Sequence, residues 1–321
     1  MKPIRLDPKK VATPAIKLLY NLFRYAFLIG ISYMALFPVL RLLFTSVTHP
    51  DEILAGSTQF LPNDPTFGNY KYALSYFDYT KYALITLYTA GISTVLQCAI
   101  CSIVGYGLGR YKFKGRALVF GAMLFTIVMP LQTVQIPLTN TLKHFDFFGL
   151  GKIIGLFGIP GVDGEVSLLE NYMNFFVPAL FGVGLRSGIF IFLFQQFFAG
   201  MPRDLEDAAK IDGCSPWKCY LKVMLPNITP VLVTVALLSM VYYWNDSFLA
   251  SMTANRTNAP MMNAIELAVW TVDAFTNQAD AAARSTSIYA LMLMGVLPLM
   301  LLFTFCQKYF VESMDRSGIK G

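Results

Sequence analysis

Apolar residues gather into long, nearly unbroken stretches separated by shorter polar ones, at about residues 22–43, 82–108, 117–138, 174–194, 229–249 and 288–305. A helix rises about 1.5 Å per residue and the hydrocarbon core of a bilayer is about 30 Å thick, so each stretch approaches the length needed to cross. A barrel strand would instead alternate apolar and polar positions over about 10 residues. The unbroken runs therefore predict an all-α membrane protein with six transmembrane helices. Residues 25–305 would form the membrane domain, between tails at 1–24 and 306–321.

Composition agrees. The 321 residues are 55% hydrophobic and only 14% charged, which excludes an ordinary soluble domain, and 15% aromatic residues exclude disorder. Lys2, Arg5, Lys9, Lys10 and Lys17 precede the first stretch, as in a secretory signal peptide. No convincing small-x-small cleavage site follows, so the reading is an uncleaved anchor. Most of the 25 Lys and Arg fall in the N-terminal tail, in the segment around Arg110, Lys112, Lys114 and Arg116, in the segment holding Arg203, Lys210, Lys218 and Lys222, and in the C-terminal tail. Basic residues favour the cytoplasmic side, so both termini are predicted in the cytoplasm. The net charge of +6 then expresses topology, and no nucleic acid is expected as a partner.

None of the five Cys falls in an outer loop. Cys98 and Cys101 have the spacing of a redox or metal pair, but lie in apolar helix without a second pair or a nearby His, so packing is the expected role and no metal site is predicted. The Gly105-x3-Gly109 and Gly184-x3-Gly188 spacings read as close helix packing. The outer loops near 45–81, 139–173 and 250–287 are long, and the middle one carries the turn-rich run GLFGIPGVDGEV from Gly155.

The segment between the fourth and fifth stretches, about 199–228, is punctuated as two short helices. Pro202 with Asp204, Glu206 and Asp207 places acids in a first helical turn, Gly213 supplies a stop, and Ser215-Pro216 a capped restart. Leu205, Ala208, Ala209 and Asp212 would share one face, and Glu206 would pair with Lys210 at i, i+4. The face suits close approach by another backbone, or else lies on the membrane or on the protein's own bundle.

The order DAAKIDG, nine residues from Cys214 to Lys222, then VMLP resembles the loop signature Glu-Ala-Ala-x3-Gly-x9-Ile-x-Leu-Pro of permease subunits of bacterial ABC importers. Asp207 stands where that family usually has Glu and Val223 where it has Ile, while Ala208, Ala209, Gly213, Leu225 and Pro226 match. The preceding PRDLEDAA, the WND at Trp244 to Asp246 and the tail QKYFVESMDRSGIKG resemble the carbohydrate branch, and are similar to the shorter permease of the maltose system. Gln195 departs from the pattern, sitting where a basic residue is common. The resemblance implies a cytoplasmic coupling helix between spans four and five that docks on a separate ATPase, with Asp207, Ala208, Ala209, Gly213, Leu225 and Pro226 as the coupling residues. It also implies the partners: a second, homologous permease forming a heterodimer, two ATPase subunits, an extracytoplasmic solute-binding protein, membrane lipid and a sugar substrate. No Gly-x4-Gly-Lys-Ser/Thr phosphate loop occurs, so the chain is expected to bind no cofactor and to be no enzyme, leaving ATP and Mg to the partner ATPase.

Polar groups in or beside apolar stretches are the candidates for a substrate pathway, because burying them unpartnered costs several kcal/mol in hydrocarbon. They are Gln132, Gln135, Arg186, Trp244, Asn245 and Asp246. Arg186 falls near mid-membrane and reads either as a pathway residue or as half of an ion pair with the partner permease. Trp244 with Tyr242 and Tyr243 offers faces suited to sugar rings, or interfacial anchors. Two alternatives remain. An ion-coupled secondary transporter would need an intramembrane acid or His, for which Asp246 is the nearest candidate. A membrane-embedded enzyme would need a convergent nucleophile, base or metal set, and neither a His-Glu-x-x-His run nor paired intramembrane acids occurs.

Overall fold

The computed structural model describes residues 14–56, 60–146, 167–169, 172–253, 259–270 and 278–318. In chain order the helices are α1 (Pro14–Val47), α2 (Pro50–Leu54), α3 (Gly68–Tyr76), α4 (Tyr79–Arg110), α5 (Arg116–Val128), α6 (Leu131–Lys143), α7 (Met173–Leu180) and α8 (Ser187–Gly200). They continue as α9 (Asp204–Ile211), α10 (Pro216–Cys219), a π turn (Tyr220–Met224), α11 (Leu225–Asn227), α12 (Thr229–Trp244), α13 (Phe248–Thr253), α14 (Met261–Trp270) and α15 (Gln278–Gly318). The described residues contain no strand, only an isolated bridge between Thr48 and Pro65. The run from Gly155 lies outside the described residues.

Three helices, α1, α4 and α15, are long and apolar enough to cross a bilayer, and the count reaches five if two bent pairs each serve as one span. Three of the expected continuous stretches are broken, each for a local reason. At 117–138 the helix stops because Pro130 has no N–H to donate and pushes Met129 into extended backbone, ψ 130°. The stretch at 174–194 is two helices, because the glycines between Leu180 and Ser187 release the backbone and Gly182 takes φ +71°. The stretch at 229–249 ends at Trp244, where Asn245 turns its amide back to the Val241 carbonyl (2.9 Å) and Asp246 starts α13 by accepting from the Ala250 amide (3.1 Å). The tail boundaries at 24 and 305 fall inside α1 and α15, which are longer than their apolar cores.

The described chain forms two compact units. In the first, residues 14–73 with 278–293, buried Asn69 donates to the Ser46 and Thr48 carbonyls (2.9 and 2.8 Å) and accepts from Thr286 (3.0 Å). In the same unit Glu52 accepts the Asp64 and Asn63 amides (2.8 and 3.1 Å), which hold its carboxyl below the ordinary value.

The second unit, residues 74–270 with 294–318, is organised around α4. Its buried stripe runs Thr86, Ala90, Ser93, Gln97, Cys101, Gly105, Leu108, at steps of three or four, and apart from Gln97 and Leu108 consists of small or hydroxyl residues. Lipid tails are as apolar as Leu, so helices in a membrane gain by approaching closely rather than by hiding apolar surface. Opposite this stripe lie Phe190, Ile191, Phe194 and Phe198 of α8. A Cβ on Gly105 would stand 2.6 Å from Cβ of Phe194, and one on Gly109 would stand 3.0 Å from the Gln195 carbonyl, so these glycines are what let α4 meet α8. Cys98 and Cys101 are buried free thiols in this packing. The hydroxyls of Thr86 and Thr89 return to the carbonyls of Tyr82 (2.7 Å) and Ile85 (2.9 Å), leaving little exposed polarity.

Candidate functional site

Two places in the second unit collect polar groups, one at each end of α8.

At the carboxyl end the chain turns out of α8 at Met201 and enters α9. Acids in the first turn complement the helix dipole, and Gly213, at φ +77°, ends the segment as expected. Ser215 caps α10 by accepting the Lys218 amide (3.4 Å). The hinge is gripped by Arg110, the last residue of α4. Its Nε donates to Oε1 of Glu206 (2.9 Å) and its terminal nitrogens to the carbonyls of Phe198, Met201 and Pro202 (3.3, 2.8 and 3.3 Å). The side chains of this pair are only 5% and 12% exposed. Removing one partner of such a pair costs about 3–5 kcal/mol, because the other charge is left buried and uncompensated.

This corrects the expected Glu206–Lys210 pairing. Glu206 turns inward to Arg110, and Lys210 pairs instead with Asp207 (3.0 Å) on the exposed side, which raises the Lys210 ammonium above its usual pKa. The expected common face of Leu205, Ala208, Ala209 and Asp212 is also divided. Positions three and four residues on lie about 60° and 40° to either side of the first, so Ala208 and Ala209 mark opposite edges of one stripe, and only the Ala209 edge meets the protein. Ala209 is buried against Cys219, Tyr220 and Met224, whereas Leu205, Asp207, Ala208 and Asp212 remain exposed. Of the other coupling candidates, Gly213 and Pro226 are exposed and Leu225 packs on the core. Beside them stand exposed Ile211, Trp217 and Leu221 (87%, 57% and 45%), apolar side chains that sequence reasoning did not single out. Arg110 too reads from sequence as one more basic loop residue. The signal that distinguishes it is its position on the last turn of a 32-residue helix, too close to the apolar stretch for free hydration.

At the amino end, α7 and α8 are joined by Phe181 to Arg186. The freed Leu185 carbonyl accepts from Gln97 of α4 (2.6 Å), which also donates to Ser187 Oγ (3.0 Å) and accepts from Ser239 of α12 (3.2 Å). One buried amide thus ties three helices and makes the break tolerable in an apolar setting. The break opens on a cavity of ≈330 Å³ lined by Phe125, Met129, Leu138, Phe175, Arg186 and Tyr243, among others.

Of the residues predicted near a pathway, the structure brings Arg186 to this cavity. Gln132 is exposed, and Gln135 lies on α6. Trp244 is buried and donates its Nε1 to the Gly295 carbonyl (3.0 Å), so its polar edge serves packing. Asn245 and Asp246 hold the helix ends already described. Trp244, Asn245 and Asp246 do not line the cavity.

Long apolar helices, an interrupted helical segment bordering a cavity and an anchored short helix in a connecting segment are the features of an integral membrane protein. The chain belongs to the family of binding-protein-dependent transport system inner membrane components, whose model matches residues 101–316. It is a multi-pass protein of the cytoplasmic membrane. It is 28% identical to the arabinooligosaccharides transport system permease protein of Bacillus subtilis over 309 residues, 94% of this chain and 98% of that one. It is 29% identical to the trehalose transport system permease protein of Mycobacterium tuberculosis over 289 residues, 89% of this chain and 93% of that one. The fold matches that of a chain in the crystal structure of a bacterial ABC transporter involved in import of the acidic polysaccharide alginate, with TM-score 0.69 and 20% identity, covering 93% of this chain and 99% of that one.

Proposed function

We propose that the chain is the permease subunit of an ATP-driven importer for a sugar or oligosaccharide, and that α9 is the element through which a separate ATPase moves the membrane helices. The observation that carries this reading is the double attachment of α9. Its inner side is fixed to α4 by the buried Arg110–Glu206 bridge, while Asp207, Ala208 and Ile211 stand outward, exposed among the described residues. A helix held this firmly on one side and bare on the other passes displacement from a docked partner to the bundle. The names of the relatives, which include transport systems for arabinooligosaccharides and trehalose, support a carbohydrate substrate.

In this reading the membrane domain has six spans, the broken ones included, with both termini and α9 in the cytoplasm. A second, homologous permease completes the pathway, two ATPase subunits use ATP and Mg below it, and an extracytoplasmic binding protein delivers the sugar above. The chain itself binds no nucleotide and catalyses no reaction. ATP binding favours one orientation of the bundle and hydrolysis restores the other.

The test is Ala208→Glu in the assembled importer. The variant should insert normally and assemble its permease pair, yet lose saccharide uptake and saccharide-stimulated ATP hydrolysis. Undiminished uptake would remove α9 from the coupling path. Labelling of a cysteine introduced at Ile211 from the outer face of sealed cells would overturn the orientation.

A further inference from the structure

Arg186 concentrates three unfavourable features at one point. It is the sole non-glycine residue with positive φ among the described residues, at +58°. It sits in a break within an apolar stretch, and its Nε is buried without a hydrogen-bond partner. Its guanidinium stands 5.7 Å from the centre of the Tyr242 ring, and it makes no ion pair with any described residue. A left-handed conformation is unfavourable for a side chain with a Cβ, and strain of this kind gathers at ligand sites. The residue lines the ≈330 Å³ cavity, where no Asp or Glu among the described residues joins it. Asp246, after α12, does not line the cavity and is engaged by the amides of Leu249 and Ala250 (3.4 and 3.1 Å). The amino end of α8 opens on the same cavity through Ser187, Gly188 and Ile189, adding the positive end of a helix dipole to the guanidinium.

We propose that this cavity binds the acidic group of a charged saccharide, a carboxylate or sulfonate on a sugar, with Arg186 as its counter-ion. The inference rests on the reading of the chain as a sugar importer and narrows its substrate class. An apolar wall suits the carbon face of a sugar ring, and a single unpaired cation gives the site one strong preference, for negative charge. The ≈330 Å³ volume accommodates one or two sugar residues, so a longer chain would pass its acidic groups by this point in turn.

The experiment uses the complete importer in nanodiscs, without nucleotide and without binding protein, and measures equilibrium binding of digalacturonate and of its dimethyl ester. The ester keeps the shape and removes the charge. Wild type is expected to bind the acid roughly tenfold to a hundredfold more tightly than the ester, the range for a charge-assisted hydrogen bond. Arg186→Gln should abolish this preference and Arg186→Lys retain part of it, with the permease pair intact in both. Equal binding of acid and ester by wild type, no acid binding, or an equal loss of both ligands in Arg186→Gln overturns the proposal. So does separation of the two permeases in Arg186→Gln, which would assign the guanidinium to a carboxylate of the partner. The importer reading itself is judged separately, by ATP-dependent saccharide uptake, which does not require the substrate to be charged.

Discussion

Two arginines flank α8, and their surroundings are opposite. Arg110, at the carboxyl end, has a carboxylate and three backbone carbonyls within hydrogen-bonding distance. Arg186, at the amino end, has an aromatic ring and a cavity. A buried charge whose donors are largely engaged is a fixture, whereas one that keeps a buried donor without a partner is, on the proposal above, open to an incoming anion. The difference lies in the neighbours each helix end supplies, since both side chains are the same.

Removing the fixture should have the largest effect. Glu206→Ala should destabilise the purified chain by about 3–5 kcal/mol, read as a large fall in its thermal unfolding midpoint in detergent. Arg110→Met combined with Glu206→Leu should recover most of that stability, since a buried pair exchanged for apolar residues is often neutral. A double variant as unstable as the single one would show that the carbonyl contacts, not the ion pair, hold the hinge. Next, Gly105→Leu should push α4 from α8 and lower the midpoint by an amount equivalent to at least about 1–3 kcal/mol, the usual range for overpacking. Gln97→Leu should cost about 1–3 kcal/mol by leaving the Leu185 carbonyl unbonded. Arg186→Gly should move the other way, raising the midpoint by the equivalent of about 1 kcal/mol as the left-handed strain and the buried charge are both relieved. A loss of stability there would mean that Arg186 is a fixture as well, and the contrast between the two ends would disappear. Smallest of all, Lys210→Ala should leave the midpoint unchanged within error, because its partner Asp207 is solvated.

Chain punctuation makes α9 legible in the sequence. Asp204, Glu206 and Asp207 at its start and Gly213 after its end occupy the positions that dipole and stop signals require. The glycine pair Gly105 and Gly109 likewise announced a close helix contact. What periodicity could not carry was partner choice. Glu206 has two local basic residues at helical spacing, Arg203 and Lys210, and a third, Arg110, nearly a hundred residues away, and only tertiary packing decides among them. Hydropathy is also blind to breaks, because Phe181, Gly182, Val183 and Gly184 are apolar enough to continue a span even though the glycines end the helix. Trp244 and Asp246 looked available for ligands for a related reason: the Gly295 carbonyl and the α13 amides that engage them come from backbone, which carries no residue-specific sign in the sequence.

The contact at Gly105 and Gly109 has a mechanical consequence. With the glycines of α4 seated directly on the α8 backbone and on the Cβ atoms of Phe194 and Phe198, α4 and α8 are expected to move together as a stiff beam. Reorientation would then be absorbed at the joints where helix is interrupted, at Met129–Pro130, Phe181–Arg186 and Asn245–Ser247. Stiffening those joints, rather than loosening the beam, is how this molecule would be brought to a halt.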